Sequence, residues 1–282
     1  MKFRGKMVDI TCIKQFSSIV STVARLSKIC VLRITKEHVY FIIHESGAVE
    51  SSPGLWAELD QGHFFNEFHV EGVSQEDNQI FLELEPDKLS KTLNSFKTAQ
   101  PAPRSLKVKL TRKHSPCLTL EVELPSLSVH ARTVVHDVPV TLIPRRQWHV
   151  YQEPEMPQFD SSVYLPPLRQ IKHVVDRMKT LSQHITFSAN RRGTLIISVS
   201  TDVVDVSTHF KNLSVPVWGD DNDTGGTHSA TVDIKKLGLL LQGSQINPTK
   251  VICNIVANRM VHMFLLHDDV TLQYFLPAAT NT

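Results

Sequence analysis

One order of predicted elements occurs twice along the 282-residue chain. Before residue 144, alternating hydrophobicity predicts a strand, a helix, several strands, a second helix and three closing strands, and the same order returns after residue 161. The two copies even end alike, in HDVPVTLIP at 136–144 and DDVTLQYFLP at 268–277. This repeat predicts an α+β protein with two similar domains, each with two helices packed on antiparallel sheets.

The predicted boundaries follow from the segment between the two copies. PRRQWHVYQEPEMPQFD has three prolines and no hydrophobic period, which is typical of an extended linker. We therefore predict a first domain at 1–143, a connecting linker at 144–161 and a second domain at 162–282.

Strands outnumber helices in this prediction. Helices are predicted at 11–28, 86–98, 167–180 and 233–243. Strands are predicted at 2–10, 30–34, 38–43, 55–59, 64–70, 79–84, 105–111, 116–124, 133–143, 162–165, 184–189, 194–199, 202–210, 250–256, 259–267 and 269–276.

Composition limits the classes of protein to consider. Apolar residues make up 41% of the chain, enough for a proper core, and the formal net charge of +2 does not by itself indicate a nucleic-acid partner. The four cysteines are scattered without CxxC spacing, which argues against a disulfide framework or a zinc site. The N-terminal segment lacks the apolar core of a signal peptide and no apolar run reaches 18 residues. We expect a protein of the nucleus or cytoplasm, without a membrane span.

The distribution of charge is more informative than its sum. The segment TCIKQFSSIVSTVARLSK at 11–28 contains no acidic residue, and its apolar side predicts an amphipathic helix on a core. A stripe of basic and small polar residues lies on the predicted opposite side. It consists of Lys14, Ser18, Ser21, Arg25 and Lys28.

The other three predicted helices share this bias. Their predicted solvent-exposed faces carry mostly basic residues, whereas most acidic residues of the chain belong to predicted strands and loops. If the helices lie side by side, they form a positive surface that could face a row of phosphates; the alternative is a solvated basic face without a ligand. The predicted basic residues are Lys88, Lys91, Arg169, Lys172, Arg177, Lys235 and Lys236.

Long strings of this sequence resemble one family from Met1 nearly to the end. The chain is similar to the Hus subunit of the nine-one-one checkpoint clamp, a heterotrimeric relative of the PCNA sliding clamp. The strings are MKFRGKMVD at the start, FFNEFHVEGVSQEDNQIFLELEPDKLSKTL at 64–93, LKVKLTRKHSPCLTLEVEL at 106–124, VVHDVPVTLIPRRQW at 134–148, THFKNL at 208–213 and INPTKVICNIVANRMVHMFLLHDDVTLQYFLPA at 246–278.

The resemblance implies a PCNA-like clamp fold and a place in a ring. Three different subunits, this one and two Rad-type relatives, would encircle duplex DNA at damage sites without reading its sequence, with the helices lining the hole. The ring would serve as a platform for checkpoint kinase signalling and repair, with a clamp loader and repair enzymes as further partners. The resemblance also implies a nuclear protein, cytoplasmic when unassembled.

Subunits of PCNA-like rings join by edge-strand pairing, here predicted between segments near 131–138 and 202–209. Both segments are β-branched and weakly charged, as an interface strand should be, although ordinary internal strands have the same composition. The predicted interface residues are Arg132, Thr133, Val134, Val135, Val203, Val204, Val206 and Thr208.

The chain offers little for catalysis. It contains no HExxH, GxxxxGK[ST], GxGxxG or GxSxG motif, and we expect no catalytic residue, metal or cofactor. His267-Asp268-Asp269 lies between two predicted strands and indicates a turn, and nothing in the sequence brings His44 to Cys12 or Cys30.

Three alternatives to the heterotrimeric clamp stay open. These are a PCNA-type homotrimeric replication clamp, a β-rich adaptor that binds proteins without touching DNA, and a hydrolase with an unrecognised site. The polar loop at 219–229 matches none of the family strings.

Overall fold

The computed structural model describes residues 1–44, 53–97, 102–125, 132–216, 226–243 and 248–279. The chain divides into two compact units: unit 1 holds residues 1–51 and 56–153, and unit 2 holds residues 52–55 and 154–282. No helix among the described residues is long and apolar enough to cross a membrane.

Unit 1 contains nine strands, two long helices, a helical turn and a 3-10 helix within its described residues; of the strand Pro53–Asp60, only residues 56–60 belong to it. In chain order they are β1 (Lys2–Met7), α1 (Ile10–Leu26), β2 (Cys30–Ile34), β3 (His38–His44), β4 (Pro53–Asp60), α2 (Gln61–Phe64), β5 (Glu67–Glu71), β6 (Ile80–Leu84), α3 (Pro86–Lys97), β7 (Ser105–Arg112), β8 (Pro116–Leu124), β9 (Arg132–Leu142) and a 3-10 helix (Arg145–Tyr151). The strands follow the order β4-β3-β2-β6-β9-β8-β7-β1-β5.

Unit 2 repeats this plan with eight described strands. Its elements are β10 (Ser161–Tyr164), α4 (Leu168–Met178), β11 (His184–Asn190), β12 (Thr194–Ser200), β13 (Asp205–Phe210), β14 (Thr227–Asp233), α5 (Ile234–Gly243), β15 (Lys250–Val256), β16 (Met260–His267) and β17 (Val270–Pro277). One run of neighbours is β10-β15-β16-β17, and the other is β13-β12-β11-β14.

The core of unit 1 lies between its helices and one face of its sheet. Phe16 of α1 contacts Phe41, Phe64 and Phe65, all of which are nearly inaccessible to solvent. Burial of these aromatic rings supplies much of the hydrophobic stabilisation that holds α1 to the sheet. The basic side of α1 is thereby turned away from the core.

The predicted elements occur in the predicted order, and the largest local differences lie near α2, at β14 and in the connecting segment. The predicted strand 64–70 begins only at Glu67, because the Asp60 carboxylate accepts the N–H groups of Gly62 and His63 and starts the helical turn α2, which ends at Phe64. Strand β14 was not predicted, since its first residues belong to the polar stretch 219–229. Most of that stretch lies outside the described residues.

The connecting segment also differs from its prediction as an extended linker. Its first half forms the 3-10 helix, and Trp148 is buried there, stacked on Phe81 with ring centroids 4.9 Å apart. The Trp148 indole N–H donates to the carbonyl of Ile143 at 2.9 Å. A hydrophobic period is not visible in this stretch because a single large aromatic residue anchors it.

Candidate nucleic-acid interface

Helix α1 places two of its three predicted bases on an exposed face. The helix begins at the Asp9 cap, whose carboxylate accepts the Thr11 N–H at 2.7 Å, and Lys14 and Arg25 are exposed along it. The helix ends at Leu26, so the exposed Lys28 lies two residues beyond it. Within the described parts of the chain, Lys14 and Lys28 form no salt bridge.

The predicted stripe on α1 is wrong at Ser21. This residue is buried, and its hydroxyl lies 3.0 Å from the Ser90 hydroxyl of α3. Asn94 of α3 donates to Ser90 at 3.3 Å. The serine therefore marks the contact between the two helices, and the exposed basic face is narrower than the sequence predicts.

Helix α3 carries its predicted bases already paired with carboxylates. Lys91 lies 2.6 Å from Asp87, one turn earlier, and Lys88 lies 2.7 Å from Glu85, just before the helix. The hydrogen bond to Asp87 raises the pKa of Lys91. The predicted basic face did not include these pairs, although the i,i+4 spacing of Asp87 and Lys91 is a visible signal. All four side chains are exposed, so each pair is weak and open to exchange with another anion.

Helix α4 exposes Arg169 and Arg177, and Lys172 is half-buried. The only acidic residue in this helix is Asp176, which accepts a hydrogen bond from Lys179 at 2.8 Å. That bond lowers the pKa of Asp176, and Lys172 also contributes to the lowering. The solvent-exposed face of α4 therefore carries more basic than acidic side chains.

Helix α5 begins with its two predicted bases. The Asp233 carboxylate accepts the backbone N–H groups of Lys235 and Lys236, at 2.7 and 3.0 Å, and so caps the helix. Both lysine side chains are exposed, while the apolar side of the helix is buried.

In each unit the two long helices are neighbours, α1 with α3 and α4 with α5. Every predicted base of this set is exposed except the half-buried Lys172. The structure therefore brings the bases together in two groups, one on each unit. A common surface made by all four helices stays a prediction.

The first predicted interface strand has an open edge. Strand β9 pairs with β8 from Arg132 to Pro139 and with β6 from Val140 to Leu142. Among the described residues, no strand pairs with the other edge of its first part, where Arg132, Thr133 and Val135 are exposed and Val134 is half-buried. Unpaired N–H and C=O groups on such an edge can accept a strand from another chain.

The second predicted interface strand is shorter than expected. Strand β13 pairs only with β12 among the described strands and ends its sheet, with Val206 and Thr208 half-buried. The strand prediction is wrong at Val203 and Val204, which lie in the turn before β13, and their place at a subunit interface stays a prediction. There the Thr201 hydroxyl donates to the Val204 carbonyl at 2.9 Å, which closes the turn, and Val203 is 94% exposed.

The described side chains include two serine–histidine contacts. In β13 the Ser207 hydroxyl lies 3.2 Å from Nε2 of the exposed His209. The Ser161 hydroxyl lies 2.8 Å from Nδ1 of His228, but Ser161 is only 2% exposed, so a substrate has no access to its oxygen. Cys12 contacts His63 and not His44, and burial raises the pKa of the Cys30 thiol to about 12. The Cys30 thiol therefore lacks the low pKa of an activated nucleophile.

No metal centre is found among the described residues. Within them, no group of three or more His, Cys, Asp or Glu side chains could hold a metal ion. Asp268 has a φ of 42°, so His267-Asp268-Asp269 forms the predicted turn between β16 and β17.

Comparisons with known proteins agree with this architecture. The structure is similar to PCNA from Thermococcus kodakaraensis, with a TM-score of 0.68 at 15% identity over 98% of this chain and 99% of that one. It is also similar to the Proliferating Cellular Nuclear Antigen of Entamoeba histolytica, with a TM-score of 0.71 at 12% identity over 98% of both chains. The predicted PCNA-like fold is confirmed.

Sequence comparison is more specific. The chain is 48% identical to human Checkpoint protein HUS1 over 99% of both chains, and 30% identical to the Drosophila melanogaster Checkpoint protein Hus1-like over 99% of both. The family model described as Hus1-like protein matches residues 1–280. The chain therefore belongs to the Hus1-like protein family, as its sequence resemblance predicted.

Proposed function

We propose that this chain is a non-catalytic subunit of a heterotrimeric sliding clamp that encircles duplex DNA in the DNA damage checkpoint. The observation that carries the proposal is the concentration of exposed bases on the long helices of a PCNA-like fold. Membership in the Hus1-like family, with relatives named as checkpoint proteins, supports the checkpoint role. A nuclear location follows from that role.

The chemistry of the helix faces suits a clamp that holds DNA and lets it move. Flexible lysine and arginine side chains bind phosphates by long-range attraction, and each exposed contact contributes about 1 kcal/mol or less. Contacts of this kind go to the phosphate backbone, so contacts to base edges are not required. Retention on DNA then depends on ring closure, and affinity for any one sequence stays low.

The open edges of β9 and β13 support assembly with two further subunits. Each edge can extend its sheet by pairing with a strand of a neighbour, and the two edges belong to different units of this chain. We propose Rad-type relatives as the neighbours, with a clamp loader and repair enzymes acting on the closed ring.

The DNA contact can be tested by reversing charge at Arg25→Glu and Lys28→Glu together in the assembled complex. We expect retention on nicked circular DNA to fall about tenfold or more at moderate salt, with a smaller salt dependence, because two phosphate contacts are lost. The matched control reverses Lys36 and Lys211, which are also exposed but lie outside the helices.

The outcomes separate the possible functions. Unchanged DNA retention in the helix double variant, or equal loss in the control, would contradict the proposed contact surface. Assembly is measured independently, from the mass of the chain alone and after co-expression with its two relatives. A complex with one copy of each supports the heterotrimer, whereas a homotrimer of this chain would favour a replication-type clamp.

A further inference from the structure

A second basic surface lies in unit 1, on a sheet face that the proposed DNA contact does not use. Strands β1 and β7 are antiparallel neighbours whose inward residues, such as Phe3 and Val108, are buried. Their outward residues form what we name the β1–β7 basic strip. It consists of Lys2, Arg4, Lys6, Lys107 and Lys109.

The register of these strands places like charges directly opposite each other. Arg4 faces Lys109, and Lys6 faces Lys107, across the β1–β7 pairing. Like charges in direct cross-strand register destabilise a sheet, so their presence at two successive positions requires compensation or a role.

Neighbouring carboxylates neutralise part of the positive charge of the strip. Glu67 of β5 pairs with both Arg4 and Lys6, at 2.9 and 3.4 Å. On the other side, Glu121 of β8 pairs with Lys109 at 2.7 Å and with Lys107 at 3.7 Å. Each of these carboxylates is thus shared between two cations.

The end of the strip shows the same sharing. Glu71 pairs with Lys2 at 2.8 Å and with His69 at 2.9 Å. The hydrogen bond from Lys2, followed by that from His69, lowers the pKa of Glu71 to about 2. The five permanent cations of the strip therefore share three carboxylates, so the ion pairs of the strip itself carry a net positive charge.

We propose that the β1–β7 basic strip is a docking surface for an extended acidic peptide segment of a partner protein. Lys2, Arg4 and Lys6 repeat at every second residue, about 6.6 Å apart along the strand. An extended peptide with an acidic residue at every second position presents carboxylates at the same spacing and completes the neutralisation that Glu67, Glu71 and Glu121 begin.

Charge complementarity favours a peptide over nucleic acid. The strip is two strands wide, about 5 Å between strands, and is bordered on both sides by carboxylates. Those carboxylates repel a continuous phosphate backbone, which runs far beyond five cations. A short peptide with spaced carboxylates can fit between them, and its binding is independent of the helix faces assigned to DNA.

The probe for the test is a short acetylated peptide in which glutamate alternates with threonine, labelled for fluorescence anisotropy. Its control is an isomer of the same composition with all glutamates placed together. The full chain is titrated at low and at moderate salt, since surface charge contacts weaken as salt rises. We expect the alternating peptide to bind more tightly than the isomer.

The test variant is Arg4→Gln combined with Lys109→Gln. We expect it to weaken binding of the alternating peptide about tenfold, because two charge contacts are lost. The matched control is Lys113→Gln, which removes an exposed lysine paired with Asp137 on a neighbouring part of the same sheet and should leave binding unchanged. If the double variant has lost its fold by circular dichroism, Lys2→Gln at the exposed end of the strip replaces it, with an expected loss of about threefold.

Three results would overturn the proposal. The first is equal binding of the alternating peptide and its isomer, and the second is equal peptide binding by the Arg4/Lys109 variant and the parent chain. The third is displacement of the peptide from the parent chain by a short DNA duplex, together with loss of duplex binding in the variant. The last result would assign the strip to nucleic acid. The Arg25/Lys28 reversal should weaken DNA retention without changing peptide binding, so this inference and the proposed function fail independently.

Discussion

The two units use the connecting segment in the same way but with different chemistry. In unit 1 the aromatic ring of Trp148 stacks on Phe81, and in unit 2 Phe159 stacks on His262 with ring centroids 5.5 Å apart. Trp148 is 4% exposed, whereas Phe159 is half-buried. We call Trp148 and Phe159 the anchors of the connecting segment. Trp148 is buried against an apolar ring, whereas Phe159 is less buried and stacks on an ionisable ring. The two units should respond differently to truncation and to acid.

Truncation of the two anchors should have the largest effect. We expect Trp148→Ala to lower the free energy of unfolding by about 3–5 kcal/mol, since it leaves a cavity over Phe81 and removes an indole hydrogen bond. Phe159→Ala should cost about 1–2 kcal/mol, because less of its surface is buried. Urea unfolding measures both. His149→Ala, an exposed position in the same 3-10 helix as Trp148, is the control, and equal losses for the two anchors would contradict the comparison.

Acid should act on the anchor of unit 2. His262 is 1% exposed; its Nδ1 lies 3.0 Å from the Asn254 amide and its Nε2 lies 3.2 Å from Oε1 of Gln273. Burial lowers the pKa of His262 from its ordinary 6.5 to about 4. Between the two pKa values, the unfolded chain binds the proton more readily than the folded chain does. The contribution of His262 is therefore complete above about pH 6.5 and is lost as the pH falls toward 4.

This linkage gives a specific expected result. The pKa difference corresponds to about 3 kcal/mol of stability lost between pH 7 and pH 4. His262→Gln should remove that part of the pH dependence, so the stability difference between parent and variant shrinks as the pH falls. Trp148→Phe should keep the parental pH dependence, because the Trp148–Phe81 stack contains no ionisable group. A constant difference between parent and His262→Gln from pH 7 to pH 4 would show that the ring does not titrate as described.

Much of this fold is predictable from sequence because its strands and long helices have clear hydrophobic periods. Strands β2, β8 and β15 have the predicted bounds, and α3 differs from its prediction by one residue. The secondary-structure predictions that failed did so for local reasons that hydrophobic periodicity does not reveal. The Asp60 cap starts a helical turn that delays the following strand by three residues, and Trp148 anchors a segment that has no period.

The candidate site was predictable in its residues but not in its state of charge. Amphipathic spacing places Lys14, Arg25 and Arg169 on exposed helix faces, as the structure shows. The same spacing could not show that Lys88 pairs with Glu85, because that acid lies before the helix and its side-chain direction depends on the turn. A shared surface of four helices depends on the arrangement of two units, which hydrophobic periods do not determine.

The smallest effect concerns the contact between the helices of each unit. Helices α1 and α3 meet through the buried hydroxyl groups of Ser21 and Ser90, whereas the buried side chains described on α4 and α5 are all apolar. We expect Ser21→Ala and Ser90→Ala each to cost about 1 kcal/mol, because each leaves a buried hydroxyl with a weaker partner. The double variant should cost less than the sum by about 0.5–1 kcal/mol, since it removes both groups at once.

A double-mutant cycle measured by urea unfolding tests this coupling, with Ser18→Ala as the control. Ser18 lies one turn earlier on α1, and its hydroxyl donates to the carbonyl of Lys14 and not to α3. That substitution should change stability by less than about 0.5 kcal/mol and should add to Ser90→Ala without coupling. Additive losses for Ser21 and Ser90 would mean that the two hydroxyl groups do not stabilise each other. In that case the helix contact of unit 1 would depend on apolar packing, as that of unit 2 does, and the contrast between the units would be confined to the connecting segment.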